Sequence, residues 1–253
     1  PWQGNPPPRV HSAGAGMINA VGLQNPGVDA WKKSYLPGLR ETGARIVASI
    51  WGRSVDEYRQ AARQLRGVEG IVALEVNISC PNLEGRGEMF AHSPELTRLA
   101  IQASAEANLP IWAKLSPNVT DISEIAFAAI ESGAEAVTLS NTLMGMVIDT
   151  STRRPVLGNG GGGVSGPGVR PVAVRAVYEM RQKLADFPII GVGGISKPEH
   201  VIEFIAAGAN AIQIGTAHFA DPRASKKVLK GLGKWCSKNK IKNISTLIGE
   251  AHG

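Results

Sequence analysis

The sequence predicts an α/β protein built on parallel strands, a (β/α)8 TIM barrel with its first two βα units missing from this chain. Three observations predict it. Short apolar strands alternate with amphipathic helices, which requires a parallel sheet. Almost every strand gives way to polar or glycine residues, and in a barrel such ends gather on one face, where active sites lie. The last two strands end in glycine and a short segment, residues 216–220, follows, as in phosphate sites built after strands 7 and 8. Six strands are readable, so about two units are expected upstream of residue 1. An open doubly wound sheet is the competing architecture.

Residues 1–44 hold a proline-rich start (GNPPPRV), a glycine-spaced loop (AGAGMINAVGLQNPG) and one helix around Trp31 to Arg40, with no central strand. The strands follow: RIVASIWG (45–52), IVALEVNIS (71–79), PIWAKLS (110–116), EAVTLSNT (135–142), PIIGVGG (188–194) and NAIQIGT (210–216). IVALEV is apolar and rich in β-branched residues, which suits burial on both faces. Between strands, Ser54 and Glu57 form a capping-box sequence ahead of Tyr58, Ala62 and Leu65 at helical spacing. Ser93-Pro94-Glu95 places proline at the first position of the next helix. Ser196 and Glu199 repeat the box before Val201, Ile202 and Ile205. Gly133 and Gly208 are positioned to close helices in the left-handed conformation. The run 159–168 (NGGGGVSGPG) reads either as a flexible loop or as a phosphate contact ahead of a helix starting near Arg170.

The bulk composition excludes several classes. At 253 residues, 43% hydrophobic and 19% charged, the chain is expected to be a soluble globular protein, one domain over 1–253. No apolar stretch approaches the roughly 20 residues of a membrane span. Net charge is +6, with much of it in residues 226–242, which read as a solvated C-terminal helix and tail. That run lacks the interleaved aromatics of nucleic-acid platforms, so neither nucleic acid nor membrane is expected as a partner. The two cysteines, Cys80 and Cys236, show no metal-ligand or redox spacing, which suggests a reducing compartment and a cytoplasmic protein.

The strand ends hold the candidate chemistry. Asn19, Asn77, Asn82 and Asn141 offer amide donors and acceptors, and Thr142 adds a hydroxyl, a set that suits a flat heterocycle with several C=O and N–H groups. Lys114, within an apolar strand, is either an exposed edge residue or a cation facing the barrel mouth. Gly193-Gly194 and Gly215-Thr216 allow backbone N–H groups to approach a phosphate. Cys80, in EVNISCPN (75–82), is either a small core residue or a reactive thiol. An ordinary thiol, with pKa near 8.5, is only slightly ionised at neutral pH. With no histidine beside it in sequence, Cys80 suits general-base work on an acidic substrate better than attack on an ester or peptide.

Taken in order, NAVGLQNPG (19–27), NISCPN (77–82), KLSPNVTDI (114–122), SNTLMGMVID (140–149), GGVSGPGVRP (162–171), GVGGI (191–195) and IGTAHFADP (214–222) resemble the signature stretches of the dihydroorotate dehydrogenase family, FMN-containing (β/α)8 barrels. The cysteine in the SCPN loop resembles class 1, and GLQNPG, KLSPNVTDI and NTLMGM resemble the class 1B catalytic subunit. The resemblance implies oxidation of dihydroorotate to orotate in pyrimidine biosynthesis, with Cys80 as the base taking the C5 proton and a hydride passing to FMN. It implies substrate contacts from Asn19, Ala20, Val21, Gly22, Leu23, Asn77, Asn82, Asn141 and Thr142. It implies FMN contacts from Ser49, Asn77, Lys114, Ser140, Gly166, Gly193, Gly194, Gly215 and Thr216, and no metal site. It also implies an iron–sulfur flavoprotein partner carrying FAD and a [2Fe-2S] cluster, which passes electrons to NAD, and a homodimer core within a heterotetramer.

Departures from the family pattern are expected to matter. The family has two upstream strands and a lysine touching flavin and substrate that this chain lacks. The third barrel strand ends in Ser49-Ile-Trp51-Gly where the family has an Asn-containing loop. GRGEMFAHSPE (85–95) also resembles the pyrimidine-reducing domain of dihydropyrimidine dehydrogenase, the second reading. A truncated barrel without catalysis is the third.

Overall fold

The computed structural model describes residues 1–79 and 89–253. In chain order its strands are β1 (Val10–Ala13), β2 (Gly16–Asn19), β3 (Ile46–Ile50), β4 (Ile71–Asn77), β5 (Ile111–Lys114), β6 (Ala136–Leu139), β7 (Leu143–Gly145), β8 (Ile148–Asp149), β9 (Arg154–Pro155), β10 (Gly162–Ser165), β11 (Ile189–Val192) and β12 (Ala211–Gln213). Its helices are α1 (Val28–Ser34), α2 (Leu36–Glu41), α3 (Val55–Leu65), α4 (Pro94–Ser104), α5 (Ile122–Glu131), α6 (Arg170–Lys183), α7 (Pro198–Ala206), α8 (Ala217–Ala220) and α9 (Ala224–Lys238). All six strands read from the sequence are present, each shorter than its apolar run. The chain divides into two compact units, Pro1–Asn5 with Val21–Val137, and Pro6–Ala20 with Thr138–Gly253.

The first unit is a β3–α3–β4–α4–β5 succession with parallel strands. Its register separates two faces. Ala48, Ile50, Leu74, Val76, Ile111 and Ala113 share one, and all are buried. Ser49, Glu75 and Trp112 form one row on the other, and Asn77 and Lys114 form the next. The helices start as their sequences dictate. The Ser54 hydroxyl accepts from the Glu57 N–H at 3.3 Å, and that of Ser93 from the Leu96 N–H at 3.3 Å with Pro94 opening α4. The box at Ser54 is displaced by one residue. The Glu57 carboxylate turns back to the N–H of Arg53 (2.7 Å) and clasps its guanidinium as well. Gly133 (φ 103°) ends α5 with the Gly133 N–H on the Ile130 carbonyl and the Ala134 N–H on that of Ala129, the Schellman pairing. In the second unit Gly208 (φ 118°) repeats it on Ile205 and Phe204.

The second unit contains the parallel pair β11 and β12 joined through α7. Buried Phe204 of α7 packs over Gly191, where any Cβ would stand 2.4 Å from the ring. One side chain gathers the far ends of these elements. The Arg181 guanidinium donates to the carbonyls of Leu184 (2.8 Å) and Gly208 (2.7 Å) and to Asn210 Oδ1 (2.6 Å). Asn210 Oδ1 in turn accepts from the N–H of Ile189 (2.9 Å). The lysines of α9 lie exposed while Ala224 and Val228 face inward, so the basic run is a solvated helix face.

Four expectations are corrected. The first part of the expected loop over 13–27 belongs instead to a β-hairpin spanning residues 10–19, turned at Gly14 (φ 64°). The helix expected around Trp31 to Arg40 is two, α1 and α2, because Pro37 lies in the first turn of a new helix. The glycine run 159–168 is not a loop throughout: residues 162–165 are strand and Gly166 precedes a single 3-10 turn. β10 pairs antiparallel with β2 and β7 in a sheet ordered β1-β2-β10-β7, over a small core of Ile18, Ala20 and Leu157. Its glycines admit close neighbours: a Cβ on Gly162 would lie 2.4 Å from the Asn19 carbonyl oxygen, and one on Gly163 would lie 2.1 Å from the Thr142 side-chain Oγ1. Finally, the box at Ser196 does not form. Pro198 takes the first helical position, Lys197 is the cap residue, and the Ser196 N–H donates instead to His200 Nδ1 (3.2 Å).

Gly163→Ala should therefore lower unfolding stability by about 1–3 kcal/mol, the range for overpacking. Thr142→Ala in the same chain should restore only part, because the Thr142 Cβ itself would stand 2.7 Å away. A urea-denaturation cycle of the four proteins reads this directly. The Arg53 guanidinium holds the Glu57 carboxyl below the usual carboxylate range. A group depressed in the folded state stabilises above its unfolded pKa and loses that contribution as pH falls through its folded pKa. Urea midpoints followed from neutral to about pH 3 should fall more steeply for the parent chain than for Glu57→Gln.

Candidate functional site

In the first unit the site is a polar strip on an otherwise apolar strand layer. The alternating pattern of β4 turns Glu75 and Asn77 to the same face, and β5 brings Lys114 beside Asn77. Lys114 Nζ lies 3.3 Å from Glu75 Oε1, with the two side chains only 16% and 10% exposed. Lys114 is thus neither an exposed edge lysine nor a lone cation. It is half of a buried ion pair, whose burial is tolerable because each charge meets its opposite. Asn77 is anchored at its backbone by the Tyr58 hydroxyl, which donates to its carbonyl (2.8 Å), and Tyr58 packs edge-on against Phe90 (5.1 Å). The Asn77 side chain accepts from the Ser79 N–H (3.2 Å), and the Ala91 N–H donates to the Ile78 carbonyl (2.9 Å). The described residues flanking Cys80 are therefore fixed from both sides. Cys80 and Asn82 themselves lie outside the described residues, as does most of GRGEMF.

Val21, Gly22 and Leu23 are held from the N-terminal segment. The Asn5 N–H donates to the Val21 carbonyl (3.0 Å), and Trp2 and Asn25 exchange two backbone bonds. Gly22 (φ 73°) lies so close to Asn5 that a Cβ would be 2.7 Å from it, and Leu23 itself adopts a left-handed φ of 60°. An open cleft of about 770 Å³ brings Leu23 and Ser49 together with Trp2, Trp31 and Trp51. Asn77 and Lys114 do not line it. Trp51 packs edge-on against Trp2 (6.1 Å), with the Arg53 guanidinium 4.2 Å above the Trp2 ring.

In the second unit the antiparallel sheet collects the amides. Asn19 stands opposite Gly163 in register, and its Nδ2 donates to the Gly163 carbonyl (3.3 Å). Thr142 packs against the same glycine, and its N–H is held by Asn141 Oδ1 (2.8 Å). Asn19 and Thr142 thus meet around Gly163, with Asn141 adjoining through Thr142 and Ala20 buried just after Asn19. Ser140 is buried beside β11, its N–H on the Val192 carbonyl (3.0 Å).

The glycine loops form a separate cradle in this unit. Gly166 (φ 101°), Gly193 (φ 142°) and Gly194 (φ 68°) adopt conformations that favour glycine. A Cβ on Gly194 would fall 2.6 Å from the Gly166 carbonyl oxygen, while the space in front of Gly215 is open to at least 4 Å. His218 fixes the Gly215 turn, its Nδ1 3.2 Å from the Gly215 carbonyl and its Nε2 2.9 Å from the Ser225 hydroxyl. Arg170, at the start of α6, is turned away to Glu203 (2.7 Å) and His200 (2.9 Å). Burial and that guanidinium keep the His200 imidazole below its ordinary pKa. The donor chemistry of the first unit, an amide, a hydroxyl and a paired ammonium, fits the polar ring of a flavin mononucleotide, and the close-packed glycine backbone of the second, by itself, fits a phosphate.

Two residues escaped sequence reasoning. Glu75 carried the signal, a single charge inside IVALEV, but read as an ordinary strand residue. Gly163 was hidden in a glycine run whose pairing partners lie far away in sequence.

The dihydroorotate dehydrogenase family matches residues 1–235 of the chain. The chain is 50% identical over 253 residues to the dihydroorotate dehydrogenase B (NAD(+)) catalytic subunit of Desulforudis audaxviator, covering all of this chain and 82% of that protein. It is 44% identical over 256 residues to the protein of that name from Desulforamulus reducens, covering 100% of this chain and 83% of the relative. A third, from Thermodesulfovibrio yellowstonii, is 44% identical over 250 residues, 98% of this chain and 82% of the relative. With an ordered set of matching motifs and this extent of identity, the chain belongs to the dihydroorotate dehydrogenase family.

Proposed function

We propose that this chain is the flavin-bearing catalytic subunit of an NAD-linked dihydroorotate dehydrogenase, one barrel domain over 1–253, oxidising dihydroorotate to orotate in cytoplasmic pyrimidine biosynthesis. The observation that carries the reading is the convergence, in a member of this family, of Ser49, Asn77 and Lys114 on one face of three parallel strands. These residues, with Ser140, Gly166, Gly193, Gly194, Gly215 and Thr216, would hold FMN, which would supply the acceptor for the hydride leaving C6 of the substrate. Asn19, Ala20, Val21, Gly22, Leu23, Asn77, Asn82, Asn141 and Thr142 hold the pyrimidine. Amide groups suit its C=O and N–H edges because each can donate and accept. Cys80, as thiolate, takes the C5 proton, and the pair of electrons left behind forms the C5=C6 double bond as the hydride departs. The brace from Tyr58 to the Asn77 carbonyl supports this role by fixing the strand end that precedes Cys80. The relatives' names, a catalytic subunit of an NAD(+)-linked enzyme, support a partner subunit, and the partner proposed is an iron–sulfur flavoprotein carrying FAD and a [2Fe-2S] cluster that delivers the electrons to NAD. A homodimer core within a heterotetramer is the assembly proposed.

The test is the anaerobic visible spectrum of the FMN-loaded protein. Dihydroorotate should bleach the flavin, and Cys80→Ser should slow bleaching by about 10²–10⁴-fold, the usual share of a general base, with FMN still bound. Bleaching by dihydrouracil but not by dihydroorotate would replace this reading with a pyrimidine reductase. A folded chain that takes up no FMN would make it a non-catalytic barrel. Direct delivery of electrons to fumarate by the isolated chain would remove the partner subunit from the account.

A further inference from the structure

A buried ion pair does not explain itself by stability. Removing a carboxylate and an ammonium from water costs several kcal/mol each, and well-packed hydrophobic replacements are often as stable or more so. Glu75 is 7% exposed in a strand whose neighbours Ala73, Leu74 and Val76 are apolar and buried. Its carboxylate spans one register row to meet Lys114, since Glu75 stands opposite Trp112 while Lys114 stands opposite Asn77. The charge is therefore placed beneath the residue proposed to face the flavin, on the same side of the sheet.

We propose that Glu75 is the positioning residue for Lys114: it fixes the ammonium on the flavin-facing side of the strands and sets the net charge there, and so tunes the electron affinity of the flavin. The inference rests on the reading of Lys114 as a flavin contact. Reduced flavin carries more negative charge than oxidised flavin. A bare ammonium favours the reduced form, and a carboxylate 3.3 Å behind it offsets much of that preference. Glu75 thus holds the flavin at a lower potential than Lys114 alone would impose, while keeping Nζ in place.

The measurement is the flavin midpoint potential, taken by anaerobic spectroelectrochemical titration, together with FMN dissociation constants from fluorescence. Glu75→Gln keeps a side-chain oxygen for Lys114 but removes the charge. It should favour reduced over oxidised FMN by about tenfold, a rise of about 30 mV for a two-electron couple. Lys114→Met should lower the potential, and Glu75→Gln added to Lys114→Met should raise it by less than Glu75→Gln does alone, because the carboxylate then has no Nζ left to hold in place. Should Glu75→Gln fail to fold, Glu75→Asp serves. With its charge kept and its reach shortened, it should weaken FMN binding while leaving the potential within about twofold of the parent. An unchanged potential in Glu75→Gln, or an equal shift in the Lys114→Met background, would overturn the proposal while leaving the flavin reading intact. A parent chain that binds no FMN, or a Lys114→Met protein with unaltered potential and affinity, would overturn both.

Discussion

Glu75 and Lys114 lie 3.3 Å apart in a strand layer that otherwise excludes charge, and the surrounding architecture follows from keeping them there. Two ions can be buried only when their separation is held short, which demands a fixed register between β4 and β5. The apolar face supplies that register, since every inward position from Ala48 to Ala113 is filled by buried aliphatic side chains. A one-residue slip would turn those residues outward and carry the charges into the apolar layer. The Tyr58 hydroxyl adds a second fix from α3, on the carbonyl of Asn77. The polar strip is thus positioned by hydrophobic packing on the reverse side of the same strands.

The two units contribute different chemistry. The parallel strands of the first present charge and a hydroxyl on rigid backbone. The second presents amides from an antiparallel sheet, where Asn19 and Thr142 meet at Gly163, and backbone from glycine turns at Gly166, Gly193 and Gly194. The glycines of the second unit serve two distinct purposes. Gly162, Gly163 and Gly191 have ordinary strand conformations and are small because something presses on them, whereas Gly193 and Gly194 have positive φ.

Much of this was legible in the sequence, and the exceptions have physical causes. The strands of the two parallel sets declare themselves because their mostly buried positions demand apolar runs. The helix starts at Ser54 and Ser93 are written in capping residues whose bonds are local. The antiparallel sheet is hidden because its strands are at most four residues long, three of the four contain glycine, and they pair across separations from residue 19 to residue 163. Ser196 and Glu199 spell a capping box, yet a proline between them claims the first helical turn. Asn19, Asn77, Lys114 and Thr142 could be named from residue type at strand ends. Glu75 could not, because its meaning lies in a partner 39 positions away that only strand register brings near.

Arg181 joins what the chain separates. By donating to the carbonyls that end α6 and α7, and to the Asn210 oxygen that also receives the Ile189 N–H, a single guanidinium serves two turns at once. The segments 184–188 and 207–210 therefore behave as one joint: lengthening either turn by a residue would pull the shared fork off the other. Tolerance for inserted residues in this unit lies away from that seam.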